Sequence, residues 1–568
     1  MTATVLPTGA VSQVATPGRP STARMLLGQV RFCNRGFWRT PVAAFFTLVF
    51  PLSFLVILSA LTGNEVVDPE TGMRLAQYTT PVFAVFGACM ACYMSLAMSL
   101  AYARHAGVLK RLRGTPLPPA VHLAGRVGSA LWVAALAVVI MVAVGVLLYD
   151  VELIWQNVPA LVVTFAVGAG SFAALGLAVA AVAPTPSAAN AFGNASLILL
   201  SFISGIFGIG DLPTWMDRIA SVFPLKPFVD SFSAGFDPAA DATVPDWGNL
   251  AVMLAWGVAG AVVARRAMSW EPTAAGLRPR RRGSVPEAQE APTEGTSEVA
   301  ASVPVGTVRE VPRPGWPALV VGQVRYAITE IRRDPMALFF SVIFPVLLVG
   351  FFGSVYPDDA TFKGLPLTQY MAPAFTVYGL ATLAFLVLPG TIVDARSLRV
   401  LKRLRGTPLP PSAYLTARVC TALLLGLVTA ALVFTVAVVL FPVTLPPSTW
   451  LASLLVFVLA ISCFAACGLA LASAIDGRQA IVAAALSILL PLSFISDIFI
   501  AVDEMPTVLD AIGWALPLRH AVAAAVTATS GGPLDATFWG HLLMLVVWGI
   551  GTALVAARWF HWEPRAHS

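Results

Sequence analysis

The sequence predicts an all-α polytopic membrane protein, built from two parallel-oriented six-span repeats with about 12 transmembrane helices. Of its 568 residues, 58% are hydrophobic and 11% are charged, whereas soluble domains contain roughly 45–50% and about 25%. The mean hydropathy is +0.81. The segment LKRLRGTPLPP occurs at residues 109–119 and again, unchanged, at residues 401–411. The composition places the chain in a bilayer, and the repeated segment indicates two copies of one unit.

Shorter matches extend the repeat over nearly the whole chain. At offsets of 292 to 294 residues, Gln29, Pro41, Phe50, Gln77, Ser201 and Trp270 match Gln323, Pro335, Phe344, Gln369, Ser493 and Trp562. The intervening linker is rich in Pro, Glu, Arg, Thr and Ser and has no apolar periodicity, which is typical of disorder. We therefore predict a disordered tail, a first repeat, a disordered cytoplasmic linker and a second repeat at residues 1–22, 23–272, 273–315 and 316–568.

Each repeat begins with a predicted amphipathic helix that lies in the membrane interface. At 100° per residue, Arg24, Arg31 and Arg35 fall on one face of residues 23–38, and Leu26, Val30, Cys33 and Phe37 fall on the opposite face. In the second repeat Arg325 is opposed by Val320, Val321, Val324, Ile328 and Ile331. A simple extension of the first span is the alternative, but Pro41 and Pro335 at the junctions favour a break.

Six apolar segments follow in each repeat, and most are long enough to cross about 30 Å of hydrocarbon as a helix. In the first repeat they cover residues 42–62, 80–103, 127–149, 158–183, 189–209 and 248–264. In the second they cover residues 336–355, 372–393, 419–441, 450–474, 479–501 and 538–557. An even number of spans gives both repeats the same orientation, so the axis relating them lies along the membrane normal.

Charged residues predict which side faces the cytoplasm. Basic residues lie beside the spans on one side: Arg24, Arg31, Arg35, Arg39, Arg104, Lys110, Arg111, Arg113, Arg265 and Arg266. Acidic residues occupy the loops of the other side: Glu65, Asp68, Glu70, Asp150, Glu152, Asp211, Asp217 and Asp237. The positive-inside rule therefore predicts a multi-pass protein of the plasma (inner) membrane with both termini cytoplasmic. It also accounts for the net charge of +6, and no motif predicts a nucleic-acid partner.

The repeated segment after span two predicts a short basic helix. Residues 108–113 can form about two turns, which Gly114 and Pro116 then stop. Lipid headgroups could neutralise its positive charge. The identical order of Leu, Gly, Thr and Pro is unexpected in a loop, where substitution is usually tolerated. It favours a shaped contact between each copy and a protein groove.

Motifs for catalysis and for metal binding are missing. The dipeptide Gly-Lys does not occur, so the chain has no Walker A motif, and it has neither HExxH nor GxSxG. Cys89 and Cys92 form a CxxC within an apolar helix, where small packing residues are the better interpretation. We predict no catalytic residue, no metal site and no cofactor in this chain.

One acidic residue in the predicted spans is a candidate for a gate or a path. Asp497 falls in the fifth span of the second repeat, where the first repeat has Gly205. Ionisable residues within spans mark functional sites by default. The fifth spans are also rich in Phe, Ile and Leu, and Phe202 and Phe494 are the aromatic candidates for the same path. A single carboxylate is too little to predict an ion-coupled carrier.

Together these features resemble the permease subunit of ABC-2-type exporters, particularly the daunorubicin-resistance-like permeases. The resemblance rests on the amphipathic helix, the six spans, the LKRLRGTPLPP segment, the prolines after span five and the closing Trp-Glu-Pro. The usual member of that family is a single six-span half that dimerises. This chain carries both halves and looks like a fused dimer, so the resemblance implies that no further permease copy is required.

The resemblance also implies partners. Two cytoplasmic ABC ATPase subunits, expected to be identical, would hold ATP and Mg²⁺, and the basic segments are similar to the coupling helices that contact them. The implied contact residues are Lys110, Arg111, Arg113, Gly114 and Thr115, with Lys402, Arg403, Arg405, Gly406 and Thr407. The implied cargo is an amphipathic drug, antibiotic or lipid passing between spans two and five. An ion-coupled secondary transporter and a non-transporting membrane scaffold are the alternatives.

Overall fold

The structure is a computed structural model that describes residues 21–61, 63–68, 72–207, 213–240, 242–268, 315–357, 359–499 and 505–561. These ranges contain most of both repeats. Almost all of the predicted tail and linker, and both Trp-Glu-Pro segments, lie outside the described residues.

In the first half, ten helices and one hairpin follow in order. They are α1 (Thr22–Trp38), α2 (Phe45–Leu61), β1 (Val66–Asp68), β2 (Met73–Arg74), α3 (Leu75–His105), α4 (Val108–Leu112), α5 (Pro119–Tyr149), α6 (Trp155–Val182), α7 (Pro186–Ile203), α8 (Thr214–Val222), α9 (Leu225–Ser233) and α10 (Trp247–Ala267). The two strands pair antiparallel.

The second half repeats this order. Its elements are α11 (Trp316–Arg332), α12 (Phe339–Val355), β3 (Thr361–Phe362), β4 (Leu365–Pro366), α13 (Leu367–Ser397), α14 (Val400–Arg405), α15 (Pro411–Leu440), α16 (Pro447–Ala474), α17 (Arg478–Ile495), α18 (Thr507–Ala515), α19 (Pro517–Thr529) and α20 (Ala536–Trp559). Each helix of the first half therefore has a counterpart whose number is ten higher. The all-α fold predicted from composition is confirmed.

Apolar helices stand at all twelve predicted span positions, but they are not equally long. Nine helices of the described chain are long and apolar enough to cross a membrane, or ten if the bent pair α18 and α19 counts as one span. The three shorter apolar helices are α2, α12 and residues 480–495 of α17. α2 and α12 open with a π-helical turn, and the helical turns Pro41–Ala44 and Pro335–Leu338 lead directly into them without a break.

The fifth spans end earlier than the sequence predicts. α7 ends at Ile203 and α17 at Ile495, whereas the predicted spans continue to residues 209 and 501. Gly205 (φ +77°) and Asp497 (φ +56°) adopt the left-handed conformation that commonly follows the end of a helix. Placing Asp497 inside a span was therefore wrong, because it lies two residues beyond the last helical residue.

The centre of each half is the span-two helix, because α3 and α13 are the most buried of the long helices. Each contains a π-helical turn, Met90–Ser95 in α3 and Thr382–Val387 in α13. Gly176 of α6 and Gly468 of α16 lie against these turns. A Cβ atom there would stand 2.7 Å from the Tyr93 carbonyl oxygen and 2.6 Å from that of Ala384. Both positions therefore require glycine.

A glutamine that recurs in both halves ties the start of span two to the loop after span three. The Gln77 side chain donates to the Glu152 carbonyl at 3.0 Å and accepts from the Glu152 N–H at 2.7 Å. Gln369 makes the same two bonds with Thr444, at 2.9 and 2.8 Å. These matched residues thus have a structural role in both halves.

The halves contact each other reciprocally. The ring centroid of Phe202 in α7 lies 4.7 Å from that of Phe351 in α12. The ring centroid of Phe494 in α17 lies 4.7 Å from that of Phe54 in α2. Each fifth span thus packs on the first span of the other half. Reciprocal contacts of this kind arise from a two-fold axis, as expected for parallel repeats that form a fused dimer.

The amphipathic helices lie against the span-three helices. Arg24, Arg31 and Arg35 of α1 and Arg325 of α11 are exposed, and the predicted apolar residues of α1 are half-buried. α1 packs so closely on α5 that a Cβ at Gly125 would lie 2.4 Å from the Gln29 Cβ. Val321 was wrongly placed on the apolar face, since it is 51% exposed. At 100° per residue it stands only about 40° from Arg325.

Candidate functional site

The two basic helices, α4 and α14, are each held in place by one leucine. They start directly after Gly107 (φ +69°) and Arg399 (φ +57°), whose left-handed backbone separates them from span two. Leu109 and Leu401 are 1% and 0% exposed. Leu109 packs among apolar residues that include Leu100 of α3 and Ala180 of α6. A buried leucine therefore fixes each helix while its basic side chains point outward.

All ten predicted contact residues are exposed. They are Lys110, Arg111, Arg113, Gly114 and Thr115 in the first half and Lys402, Arg403, Arg405, Gly406 and Thr407 in the second. The end of each basic helix is closed in the same way. The threonine hydroxyl donates to the carbonyl three residues earlier, at 2.7 Å for Thr115 and 2.6 Å for Thr407. The identical sequence therefore presents the same local surface twice.

Two buried arginines next to the basic helices have a role that sequence reasoning missed. Arg104, at the end of α3, donates to the carbonyls of Ala181 and Ala183 at the end of α6. Arg396, at the end of α13, donates to the Ala472 carbonyl and to the Asp476 carboxylate, each at 2.9 Å. Arg104 was interpreted only as an orientation charge. Its recurrence as Arg396, at the offset of the repeat, was the available signal.

A cavity of about 1560 Å³ lies between the halves, lined by residues of α1, α2, α3, α5 and α7 and of α12, α13 and α17. Aromatic residues from both halves line it, including Phe54, Phe202, Phe344 and Phe494. Asp497 is not among the described lining residues. The structure thus brings Phe202 and Phe494 together at one cavity and places Asp497 elsewhere.

Asp497 belongs to an ion-pair cluster at the end of the bundle opposite the basic helices. It is 3% exposed, and its Oδ2 lies 2.7 Å from the Lys363 Nζ and 3.6 Å from an Arg519 guanidinium nitrogen. Arg519 also pairs with Asp510 at 2.7 Å. Lys363 lies in the β3–β4 turn, Arg519 in α19 and Asp510 in α18. We call these four residues the outer clamp, since they join the hairpin, the segment that follows span five and the bent pair α18–α19.

The first half has a reduced version of the outer clamp. Lys226 of α9 pairs with Asp217 of α8 at 3.0 Å and with Asp230 at 3.1 Å, but Gly205 replaces the central carboxylate. Burial lowers the pKa of the Lys226 ammonium, yet the carboxylates of Asp230 and Asp217 outweigh burial, so its pKa lies above the usual value. This ion pair therefore persists at neutral pH. Among the described residues, an ion pair between the hairpin and the segment after span five is found in the second half only.

The outer clamp predicts an order of stability for two variants of Asp497. Asp497→Asn removes the carboxylate that faces Lys363 and Arg519, and we expect it to lower the free energy of unfolding by about 2 kcal/mol. Asp497→Gly removes the same carboxylate but also relieves the left-handed backbone, so its loss should be smaller. Thermal unfolding in detergent measures both. An Asn variant as stable as wild type would contradict the clamp.

Metal binding has no candidate in the part of the chain that the structure describes. No group of three or more His, Cys, Asp or Glu side chains there is placed to hold a metal ion.

Comparing the sequence with known protein families shows which family the chain belongs to. The sequence pattern of the ABC-2 type transporter family matches residues 30–236 and, a second time, residues 323–529. The chain belongs to the ABC-2 type transporter family. One match falls in each half, from within the amphipathic helix to just after α9 in the first half and to the end of α19 in the second. ABC-2 domains form the membrane component of a transporter, are not catalytic themselves and pair with ATPase subunits. No curated protein matches the chain.

Proposed function

We propose that this ABC-2 protein supplies both halves of the membrane permease of an ATP-driven exporter and couples to two separate cytoplasmic ATPase subunits. The observation that carries the proposal is the pair of basic helices, which expose the same residues in the same order and are anchored by equivalent leucines. Two matching surfaces suit two copies of one partner. ATP and Mg²⁺ belong to that partner, and this chain supplies the docking surfaces and the path.

The docking chemistry follows from the exposed side chains of α4 and α14. Two arginines and one lysine in each helix are suited to carboxylates on the ATPase, and arginine can bind a carboxylate through two parallel hydrogen bonds. Gly114 and Thr115, with their counterparts Gly406 and Thr407, give the end of each helix a compact shape. Charge and shape together favour a protein groove over a lipid surface.

The packing around the basic helices offers a route for transmitting force. Leu109 contacts the hydrophobic cluster formed by the ends of α3 and α6, and Arg104 ties the same two ends together. Closure of the ATPases would move α3 and α6 as a unit, and α13 and α16 likewise in the second half. The halves would then rock about the two-fold axis. Nucleotide drives this change only by binding one state of the assembly better than the other.

The central cavity is the proposed path for cargo. Its volume of about 1560 Å³ exceeds the roughly 300–1,000 Å³ typical of small-molecule pockets. Its aromatic lining suits an amphipathic drug, antibiotic or lipid. In this proposal Phe202 and Phe494 form the aromatic part of the path, and the outer clamp around Asp497 keeps the exit closed until the halves rock. Cargo leaves between the helix pairs α8–α9 and α18–α19.

We place the protein in the plasma (inner) membrane with the basic helices, and therefore both termini, in the cytoplasm. Arg24, Arg31, Arg35 and Arg325 are exposed on α1 and α11. In the interface they contact anionic lipid headgroups while the apolar faces of these helices rest on span three.

Purification of the tagged chain from native membranes tests the proposal. We expect a soluble subunit with a Walker A motif to co-purify in mild detergent. Vesicles containing both proteins should transport cargo with ATP and without an ion gradient. A chain that purifies alone in every mild detergent, and whose transport collapses with the proton gradient, would contradict the proposal in favour of an ion-coupled carrier. Partner binding without any transport would indicate a scaffold.

A further inference from the structure

The cavity has two walls that come from equivalent positions of the repeat but differ in chemistry. On the first-half wall, α7 contributes Asn190 and Asn194, and the Asn194 amide donates to the Asn190 Oδ1 at 2.8 Å. At the corresponding positions, α17 contributes Val482 and Leu486. α3 likewise contributes Ser95, where α13 contributes Val387. At these three positions the first-half wall is polar and the second-half wall aliphatic, whereas Ser99 has a polar counterpart in Thr391, and Met90 is replaced by Thr382.

A charge difference accompanies this difference in polarity. Arg126 of α5 lines the cavity, with its Nε donating to His122 at 3.0 Å and one terminal nitrogen donating to Ser99 at 3.2 Å. Its counterpart Arg418 is only 4% exposed and pairs with the Glu330 carboxylate at 2.6 Å. The position equivalent to Glu330 in the first half is Gly36. Arg126 thus faces the cavity without the carboxylate that neutralises its counterpart.

The other charged residues of the lining do not replace that carboxylate. Asp334 belongs to the second half and accepts from the Ala337 N–H at 3.3 Å, at the turn that leads into α12. Glu65 follows α2 at the end of the bundle opposite α1. Neither forms an ion pair with Arg126 in the structure. Arg126 is also the only cationic side chain among the described residues that line the cavity.

We infer that the cavity takes an amphipathic anion, whose acidic group pairs with Arg126 and whose apolar body lies along the second-half wall. The inference rests on the proposed function, in which this cavity is the cargo path. A half-buried guanidinium without a counter-charge is energetically unfavourable, and an incoming carboxylate or phosphate supplies that charge in the planar geometry that arginine prefers. Ser99, Asn190 and Asn194 lie on the same polar wall. The cargo is therefore bound in one orientation, with its acidic end toward the basic helices.

Three fluorescent probes test this inference on the purified full-length chain in detergent. They share an undecyl chain carrying a dansyl group and differ at the other end, which is a carboxylate, a methyl ester or an amine. We expect wild type to bind the carboxylate at least tenfold more tightly than the ester, and the amine most weakly. Arg126→Gln should bring the carboxylate within about twofold of the ester and leave the ester unchanged, and Arg126→Lys should recover part of the preference.

Arg265→Gln is the matched control, because Arg265 is exposed on α10 and does not line the cavity. It should keep the wild-type preference. Equal binding of carboxylate and ester by wild type would overturn the inference, and so would a preference that survives Arg126→Gln. The wild-type comparison remains decisive if a variant fails to fold. This assay contains no ATPase. A negative result would therefore overturn the inference about the anion, while the proposed function is tested separately by measuring ATPase association.

A fourth probe distinguishes the source of the anion. Dansyl-labelled lysophosphatidic acid carries a phosphate in place of the carboxylate. Arg126-dependent binding that is tighter for this probe supports the inference with a phospholipid as cargo. Arg126-dependent binding that is tighter for the carboxylate supports it with a free organic acid.

Discussion

Reversing one charge in each basic helix, by Lys110→Glu together with Arg403→Glu, is expected to abolish association with the ATPase subunits. Both side chains are exposed and should pair with carboxylates of the partner. Removing one member of a desolvated charge pair costs about 2–5 kcal/mol, and reversal adds repulsion at each of two sites. We expect affinity to fall at least about 100-fold. Co-purification from native membranes and a direct titration with the ATPase measure the effect.

A matched control separates the shaped surface from its charge. Arg265→Glu together with Arg266→Glu changes the net charge by the same amount, and both residues are exposed at the end of α10. That end lies beside α4, because Met268 packs on the cluster that buries Leu109. This control should still bind the ATPase. Equal losses in both double variants would show that only bulk positive charge matters and would contradict docking through α4 and α14.

The double substitution Gly176→Ala with Gly468→Ala, at the centre of each half, is expected to destabilise the protein strongly although each change adds only one methyl group. An alanine Cβ at Gly176 or Gly468 would stand within 2.7 Å of a backbone carbonyl in a π-helical turn, and backbone yields less readily than a side chain. Overpacking of this kind costs about 1–3 kcal/mol per site. The two sites lie in different halves, so their effects should add. Thermal unfolding in detergent, together with the yield of monodisperse protein, reports the loss.

The same helix supplies the control for this prediction. Gly170 also lies in α6, but a Cβ there would have no heavy atom within 4 Å. Gly170→Ala should leave stability unchanged or raise it slightly, because alanine favours the helix over glycine. If Gly176→Ala and Gly170→Ala unfold at the same temperature, the close packing of α6 on the π-helical turn of α3 is wrong.

The features that could be predicted well from the sequence depend on neighbouring residues in the chain or on long hydrophobic segments. Long apolar segments define most of the spans, and Gly114 and Pro116 mark where the basic segment stops being helical. The exposure of Lys110 and Arg111 follows from a helix of which only Leu109 is fully buried. The parallel orientation of the repeats follows from duplication combined with an even number of spans, and the contacts of Phe202 and Phe494 across the two halves agree with it.

The features that sequence reasoning missed depend on tertiary contacts. The π-helical turns and the glycines packed against them become visible only once α3 and α6 are assembled. Asp497 was predicted within a span because the apolar run continues past Ile495, whereas the helix ends there and Asp497 adopts a left-handed conformation. Aligning the repeats would have revealed one difference early. Arg126 aligns with Arg418, but Gly36 occupies the position of Glu330.

The central claim is that one chain supplies both halves of the permease, and the mass of the intact complex tests it most directly. Native mass spectrometry of the complex purified with its ATPase should give one copy of the 59.7 kDa chain and two copies of the ATPase. One ATPase bound at saturation, or two permease chains in the smallest complex that hydrolyses ATP, would contradict a fused permease with two equivalent docking helices.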